Sequence, residues 1–313
     1  MITIEKYTAA LQQEWDRLVT DSRNATFLLQ RGYMDYHSER FADFSLIARD
    51  ERGRILAALP ANREGDVIVS HRGLTFGGWI LPARRCDALN MLEIWDAMFP
   101  FLRENGIKQI IYKPIPHIYH TAPAEEDLYA IFRAGGRLTA TLVSSVVDLR
   151  NPLPFGRRMK EIARKVMKSE IIFSESDCWS EYWDVLKQML ATRYNTLPVH
   201  TLDEINLLRK RFPNEIKLYT ATLNGEIIAG AVLYITPRAV HLQYSAASAR
   251  GKELSAVTGL YQWFIDRFKD KADWFDFGTS NEQGGHYVNE GLLRQKCNCG
   301  ARAIVYNTFT IDV

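Results

Sequence analysis

The chain has 313 residues, enough for two domains, and its 47% hydrophobic and 12% aromatic content supplies a sizeable core. Lys and Arg total 39 against 37 Asp and Glu, for a net charge of +2. That balance excludes a protein that coats nucleic acid or lies on anionic lipid through bulk charge, so no DNA partner is expected.

The opening Met1-Ile2-Thr3-Ile4-Glu5-Lys6-Tyr7 lacks the charged and apolar segments of a signal peptide. No apolar run approaches the roughly 20 residues that span a bilayer, so no integral membrane segment is expected. Cys86 and Cys178 are isolated, and Cys297-Asn298-Cys299 is too tight for a disulfide framework or a complete zinc site. A cytoplasmic location fits that usage, and no metal is expected.

In chain order, 44–49 reads as a strand, Asp50-Glu51-Arg52-Gly53 as a turn and 55–60 as the returning strand. Val67-Ile68-Val69, a glycine-rich loop and a helix carrying Leu89, Leu92, Trp95, Met98 and Phe99 follow, then a strand over 107–112. A second hairpin runs over 216–221 and 227–233 across Asn224-Gly225. After it come a strand at His241-Leu242-Gln243-Tyr244, a helix with Leu260, Trp263, Phe264 and Phe268, and the strand Trp274-Phe275-Asp276-Phe277. Each half adds a polar loop, a short helix and a last strand, at 138–149 and 303–311. The shared order predicts an α/β fold with mixed sheets in which one unit is used twice, over 1–152 and 153–313. A single mixed sheet with coincidental symmetry is the alternative.

The second half opens on a basic helix, Phe155 to Lys168. Ile162, Val166 and Met159 share one face, and Arg157, Arg158, Lys160, Arg164, Lys165 and Lys168 lie mainly elsewhere. Two readings stand, a solvated linker helix or a contact for a phosphate-bearing substrate through residues such as Arg158.

The C-terminal run Asp276-Phe277-Gly278-Thr279-Ser280-Asn281-Glu282, then Asn289-Glu290-Gly291-Leu292-Leu293 and Lys296, resembles the signature of FemAB-like acyltransferases. These are Fem-type peptidyltransferase relatives within the Gcn5-related N-acetyltransferase (GNAT) superfamily. Ala229-Gly230 is similar to the Ala-Gly of the second GNAT domain, and the basic helix sits where that family has its Arg/Lys-rich interdomain helix. Tyr33 to His37, Arg40-Phe41, Ser70 to Gly78 and Lys113 to His120 resemble a bacterial subgroup. The resemblance covers nearly the whole chain. It implies two tandem GNAT domains and transfer of an acyl or aminoacyl group to an amine of a cell-envelope sugar or peptide precursor. The donor it implies is acyl-CoA or acetyl-CoA, an acyl carrier or aminoacyl-tRNA. No sustained heptad repeat marks the coiled-coil insertion common in tRNA-dependent relatives, which favours a small-molecule donor. A non-catalytic binding protein on a degenerate GNAT scaffold is the competing reading. Two features depart from the pattern: Cys297-Asn298-Cys299-Gly300 follows the lysine, and the pyrophosphate loop is reduced to Arg250-Gly251-Lys252.

N-acyl transfer needs a deprotonated amine, donors for the developing oxyanion and a proton for the leaving group. Glu282, His286 and Glu290 are candidate bases in the polar loop that ends the strand at 274–277, where open α/β sheets place ligands. Ser280, Asn281 and Asn289 are candidate substrate contacts, Asn289 equally a helix cap. Tyr244 is a candidate proton relay or a packing residue, with Gln243 beside it on the strand bordering the donor. Lys296 is expected to meet an anion, on the strength of the resemblance. His71 and His200 are candidates to line a cleft, His71 equally a structural residue.

Overall fold

The computed structural model describes residues Met1 to Val313 apart from the side chain of Tyr194. In chain order the elements are β1 (Thr3–Lys6), α1 (Gln12–Thr20), α2 (Arg31–Met34), β2 (Leu46–Arg49), β3 (Ile55–Leu59), β4 (Asn62–Glu64), β5 (Val67–Val69), α3 (Ala88–Glu104), β6 (Gln109–Tyr112), α4 (Glu126–Arg133) and β7 (Arg137–Asp148). They continue as α5 (Arg157–Met167), β8 (Ile172–Glu175), α6 (Trp179–Tyr194), α7 (Leu202–Arg211), β9 (Ile216–Leu223), β10 (Glu226–Ile235), β11 (Ala239–Ala247), α8 (Ala249–Glu253), α9 (Ala256–Phe268) and β12 (Trp274–Thr279). Last come β13 (Asn281–Glu282), β14 (Tyr287–Val288), α10 (Glu290–Asn298) and β15 (Arg302–Asp312). The expected order of hairpin, strand, helix, strand, helix, strand is present twice.

The chain divides into two compact units, Met1–Leu142 with Val305–Val313, and Val143–Ile304. The last strand therefore does not stay with the second half, as a cut at 152/153 has it. Its end pairs antiparallel with β6, Phe309 opposite Tyr112 and Ile311 opposite Ile110. Ile311 is fully buried in the first unit's core.

In the first unit β1, β2 and β3 form an antiparallel sheet, and β4, β5, β6 and β15 follow one another in a second. A capping box, Asp87 with Asn90, starts α3. The helix buries Met91, Ile94, Trp95, Met98 and Leu102, a stripe at helical spacing. Leu89, read from sequence as part of that stripe, is 70% exposed, because it lies two residues before Met91 and so on the opposite side of the helix.

In the second unit the strands run β7, β12, β11, β10, β9, β8, with β11 and β12 parallel and the other neighbours antiparallel. Side chains alternate across β10. Ala229, Ala231 and Leu233 enter the core beneath α9, while Gly230 turns to α6. A Cβ on Gly230 would lie 2.5 Å from the ring of Tyr182, which is fully buried. The glycine lets α6 settle on the sheet. On the other face Ala163 and Val166 of α5 are buried, with Met159 and Ile162 half-buried against the same core, as the pattern of that helix predicts. Its Arg157, Arg158, Lys160, Arg164, Lys165 and Lys168 are exposed.

Gly230→Ala is expected to lower stability by about 1–3 kcal/mol, the usual cost of overpacking a tight contact. Chemical denaturation checks this, and Tyr182→Ala in the same chain is expected to recover part of the strain term.

Candidate active site

β11 and β12 are paired at only three positions: Ala239 with Trp274, Val240 with Phe275, and His241 with Asp276. Beyond that point each strand carries an irregularity. In β11 the register against β10 slips so that Gln243 is the extra residue, Tyr244 facing Val232 and Leu242 facing Leu233. In β12 the chain advances three positions from Asp276 to Thr279 against two on β7, from Val146 to Ser144, with Gly278 at φ +74°. Bulges sharpen local twist and end pairing, so two side by side drive the parallel strands apart.

A cavity of about 450 Å³ opens along the freed end of β11. Gln243, Tyr244, Ser245, Ala246 and Ala247 line it, together with Lys252, Ser255, Thr258 and Tyr261. Leu186, Met189 and Leu190 of α6 give an apolar wall, and Leu292 and Gln295 of α10 close another side. Ser255, at φ +56°, breaks α8 from α9 and caps α9 without a side-chain bond. The start of α9, where Ser255, Val257 and Thr258 line the cavity, therefore turns the positive end of the helix dipole to it beside Lys252, with no side-chain cap over the first turn and Thr258 N bonded to Ser255 O at 3.0 Å.

Tyr244 stands on this cavity with its hydroxyl 2.6 Å from His200 Nδ1, and the backbone N–H of His200 donates to it at 3.2 Å. Trp183 meets the ring edge-on at a centroid separation of 5.5 Å. Burial raises the phenol pKa, so the group keeps its proton near neutrality.

Residues 157–287 match the family described as the acetyltransferase (GNAT) domain. The second unit carries a GNAT domain. Solved structures extend the likeness of fold to the whole chain. FemX has 11% identity and a TM-score of 0.70 over 99% of this chain and 97% of its own. The C-terminal domain of a putative lysylphosphatidylglycerol synthetase from Agrobacterium fabrum has 15% identity and a TM-score of 0.63 over 96% and 91%. A tandem GNAT protein from the clavulanic acid biosynthesis pathway has 11% identity and a TM-score of 0.52 over 100% and 98%. No curated protein matches the sequence.

Of the residues picked out from sequence, the GNAT domain brings Gln243, Tyr244, Gly251 and Lys252 to the cavity, with His200 behind Tyr244. Gly251 is there for packing: a Cβ would fall 1.9 Å from the Ile228 carbonyl oxygen. Arg250 is exposed, does not line the cavity and pairs with Glu253 at 3.1 Å. Glu282, His286 and Glu290 are exposed and none lines the cavity, and Glu290 pairs with Arg294 at 3.1 Å. Asn289 caps α10, accepting from Leu292 N at 3.0 Å. Asn281 takes the N–H of Val143 at 2.6 Å and donates to Gly285 O. Arg158 lines a shallow groove of about 340 Å³ with Gly156, Met159, Ile162 and Asn298.

Lys296 departs from its expected part as an anion contact. It is buried, and its ammonium donates to Gly278 O and Thr279 O at 2.8 Å and to Ser280 Oγ at 3.0 Å. With three protein acceptors engaged it ties down the end of β12. His71 lies in the first unit, buried, with Nε2 3.3 Å from Asn62 Nδ2, and burial holds its pKa down to about 3.

The pair that sequence reasoning missed is His241 with Asp276. Asp276 was read only as part of a strand and a motif, and the 35 residues between the two leave no local spacing signal.

Burial lowers the Lys296 pKa to about 8, below its ordinary 10.5. The unfolded chain then binds more protons than the native one between those values, so this group makes stability rise with pH across that window and adds no slope below it. Wild type relative to Lys296→Met is expected to gain up to about 1.4 kcal/mol per pH unit there, read from paired urea titrations.

Proposed function

We propose that the GNAT domain is an N-acyltransferase that moves an acyl group from a coenzyme A thioester to a primary amine. The freed edge of β11, leading to the start of α9, carries this reading. An extended pantetheine-like arm can take the hydrogen bonds that β12 gives up, and its phosphates then meet the α9 amides and Lys252. The donor carbonyl lies at the Gln243 bulge, where backbone N–H groups stabilise the oxyanion. Tyr244, kept protonated by burial, supplies the leaving sulfur with its proton.

In the first unit the corresponding strand ends stay tied together. Its parallel pair, β5 and β6, is followed by a segment that stays tied to β6: Ser70 N to Ile111 O at 2.9 Å, Lys113 N to Ser70 Oγ at 2.7 Å, and Gly77 N to Lys113 O at 3.0 Å. Tyr112 fills the space behind it, fully buried, donating to Asp127 at 2.6 Å and accepting from Trp79 N at 2.6 Å. A surface groove of about 690 Å³ in that unit is lined by residues of both charges, among them Arg54, Arg84, Asp50 and Asp87. Its deepest cation, Arg23, bonds Pro82, Arg85, Cys86 and Pro123 carbonyls and Glu126.

For the acceptor, the motif resemblance to Fem-type proteins and the fold shared with FemX and a putative lysylphosphatidylglycerol synthetase support an amine on a cell-envelope sugar or peptide precursor. The exposed basic face of α5 favours a second reading, in which the acyl donor is an aminoacyl-tRNA and that face meets its phosphates.

Calorimetric titration with coenzyme A tests the donor. Binding to wild type is expected, weakened several-fold by Lys252→Ala, an exposed charge. Tyr244→Phe is expected to bind as wild type and to lose about 100-fold in kcat with acetyl-CoA. No binding of coenzyme A, with salt-sensitive binding of aminoacyl-tRNA, supports the second reading. Binding of neither leaves a non-catalytic scaffold.

A further inference from the structure

We propose that His241, held by Asp276, is the general base that deprotonates the acceptor amine. The inference rests on reading the GNAT domain as an N-acyltransferase and assigns a group to the step that reading leaves open.

Three observations carry it. First, His241 and Asp276 are the last paired residues before β11 and β12 part, and His241, which does not itself line the cavity, stands two residues before Gln243, which does. Second, Asp276 is fully buried and built in. It accepts from Ser144 Oγ, from Gly278 N at 2.8 Å and from His241 Nδ1 at 2.8 Å. A carboxylate fixed by two donors besides the imidazole sets the ring orientation and puts the mobile proton on Nδ1, leaving a lone pair on Nε2. Third, no hydrogen bond to Nε2 is recorded among the described residues, and the side chain is 18% exposed, so the ring is not sealed in the core. Gly278 gives the ring its room, since a Cβ there would come 3.3 Å from His241 Cε1. The charged groups around the dyad are Asp276 itself and Lys296 of α10, whose ammonium sits on the Gly278 and Thr279 carbonyls.

The step balances as follows. Nε2 takes one proton from the acceptor ammonium, and Asp276 steadies the imidazolium. The amine nitrogen bonds to the acyl carbon and the carbon–sulfur bond breaks with its electron pair on sulfur. A second amine proton reaches that sulfur by way of the Tyr244 hydroxyl, and the third stays on the amide. His241 then returns its proton to solvent. His241 is the catalytic residue in this scheme and Asp276 a positioning residue.

The test follows thiol release from acetyl-CoA with glucosamine and with glycylglycine as amine probes, across pH, for wild type, His241→Gln and Asp276→Asn. His241→Gln is expected to lose about 100-fold in kcat with KM for acetyl-CoA unchanged, and to lose the acidic limb of the rate profile. Asp276→Asn is expected to lose less and to move that limb to lower pH, a change that a merely structural role does not produce. If Asp276→Asn does not fold, the His241→Gln comparison decides. Wild-type kcat in His241→Gln overturns the assignment. Should wild type itself transfer nothing to either amine, the acyltransferase reading fails separately, and diethyl pyrocarbonate decides the dyad. His241 is expected to be carbethoxylated in the folded protein, several-fold more slowly in Asp276→Asn, and an unreactive His241 overturns the proposal.

Discussion

The architecture of the second unit turns on where the backbone hydrogen bonds of two parting strands go. Parallel strands that separate inside a sheet leave two rows of amide groups without partners, and each buried one costs about 1–3 kcal/mol if unmet. On the β12 side several such groups are met from within. Asp276 takes Gly278 N, Lys296 takes the carbonyls of Gly278 and Thr279, Ser280 N goes to Val143 O, and Asn281 takes Val143 N. On the β11 side, where the cavity lies, no such side-chain bonds to the strand edge are recorded among the described residues. That asymmetry leaves the β11 edge open to solvent, and the proposed donor would take its place.

The same logic separates the two units. Both carry a parallel pair after a hairpin, so the element order alone makes them equivalent. In the first, the polypeptide after β5 remains bonded to β6, and Tyr112, Asp127 and Trp79 form a closed network in the space behind. Burial raises the Asp127 pKa to about 6 and keeps the Tyr112 phenol protonated, which suits a packed hydrogen-bonded plug. Duplication thus supplied two frames, one filled by its own side chains and one left open.

Local pattern carried most of the fold. The hairpin at Asn224-Gly225, the apolar stripe of α9 and the strand at Trp274 need only neighbours in sequence to declare themselves, and the repeated order followed from them. The return of β15 to the first unit was not legible, since an alternating strand does not say which edge it joins. Gln243, Tyr244, Gly251 and Lys252, picked out by the GNAT resemblance as neighbours of a donor, line the cavity, whereas Arg250 from the same loop does not. Glu282 and Glu290 were attractive because of their residue type, but a polar loop does not state which way its side chains face. His241 was hidden for the opposite reason. Its partner is distant in sequence, and the pairing that sets the two side by side is visible only in the register of β11 against β12. Lys296 was marked by the resemblance as an anion contact, and the structure puts its ammonium on the Gly278 and Thr279 carbonyls, a difference that residue type alone does not show.

The Cys297-Asn298-Cys299-Gly300 departure bears on architecture rather than on the cavity. Asn298 O accepts from Gly156 N at 2.9 Å, and a Cβ on Gly300 would fall 2.4 Å from Leu153 O, so the segment locks the end of α10 to the approach of α5. Cys299 is fully buried with its thiol pushed up to about 12, an inert packing group and not a nucleophile. Under the proposed reaction, proton handling falls to two histidine-bearing pairs joined through β11. Tyr244 with His200 keeps its proton until a strongly basic thiolate forms. His241 with Asp276 offers a lone pair where the two strands part. Exposed carboxylates in general lie more than two units below neutrality, whereas imidazole reaches it with no help from burial. A base at a solvent-reached strand junction is therefore better made from histidine, and the buried carboxylate serves it by orienting the ring.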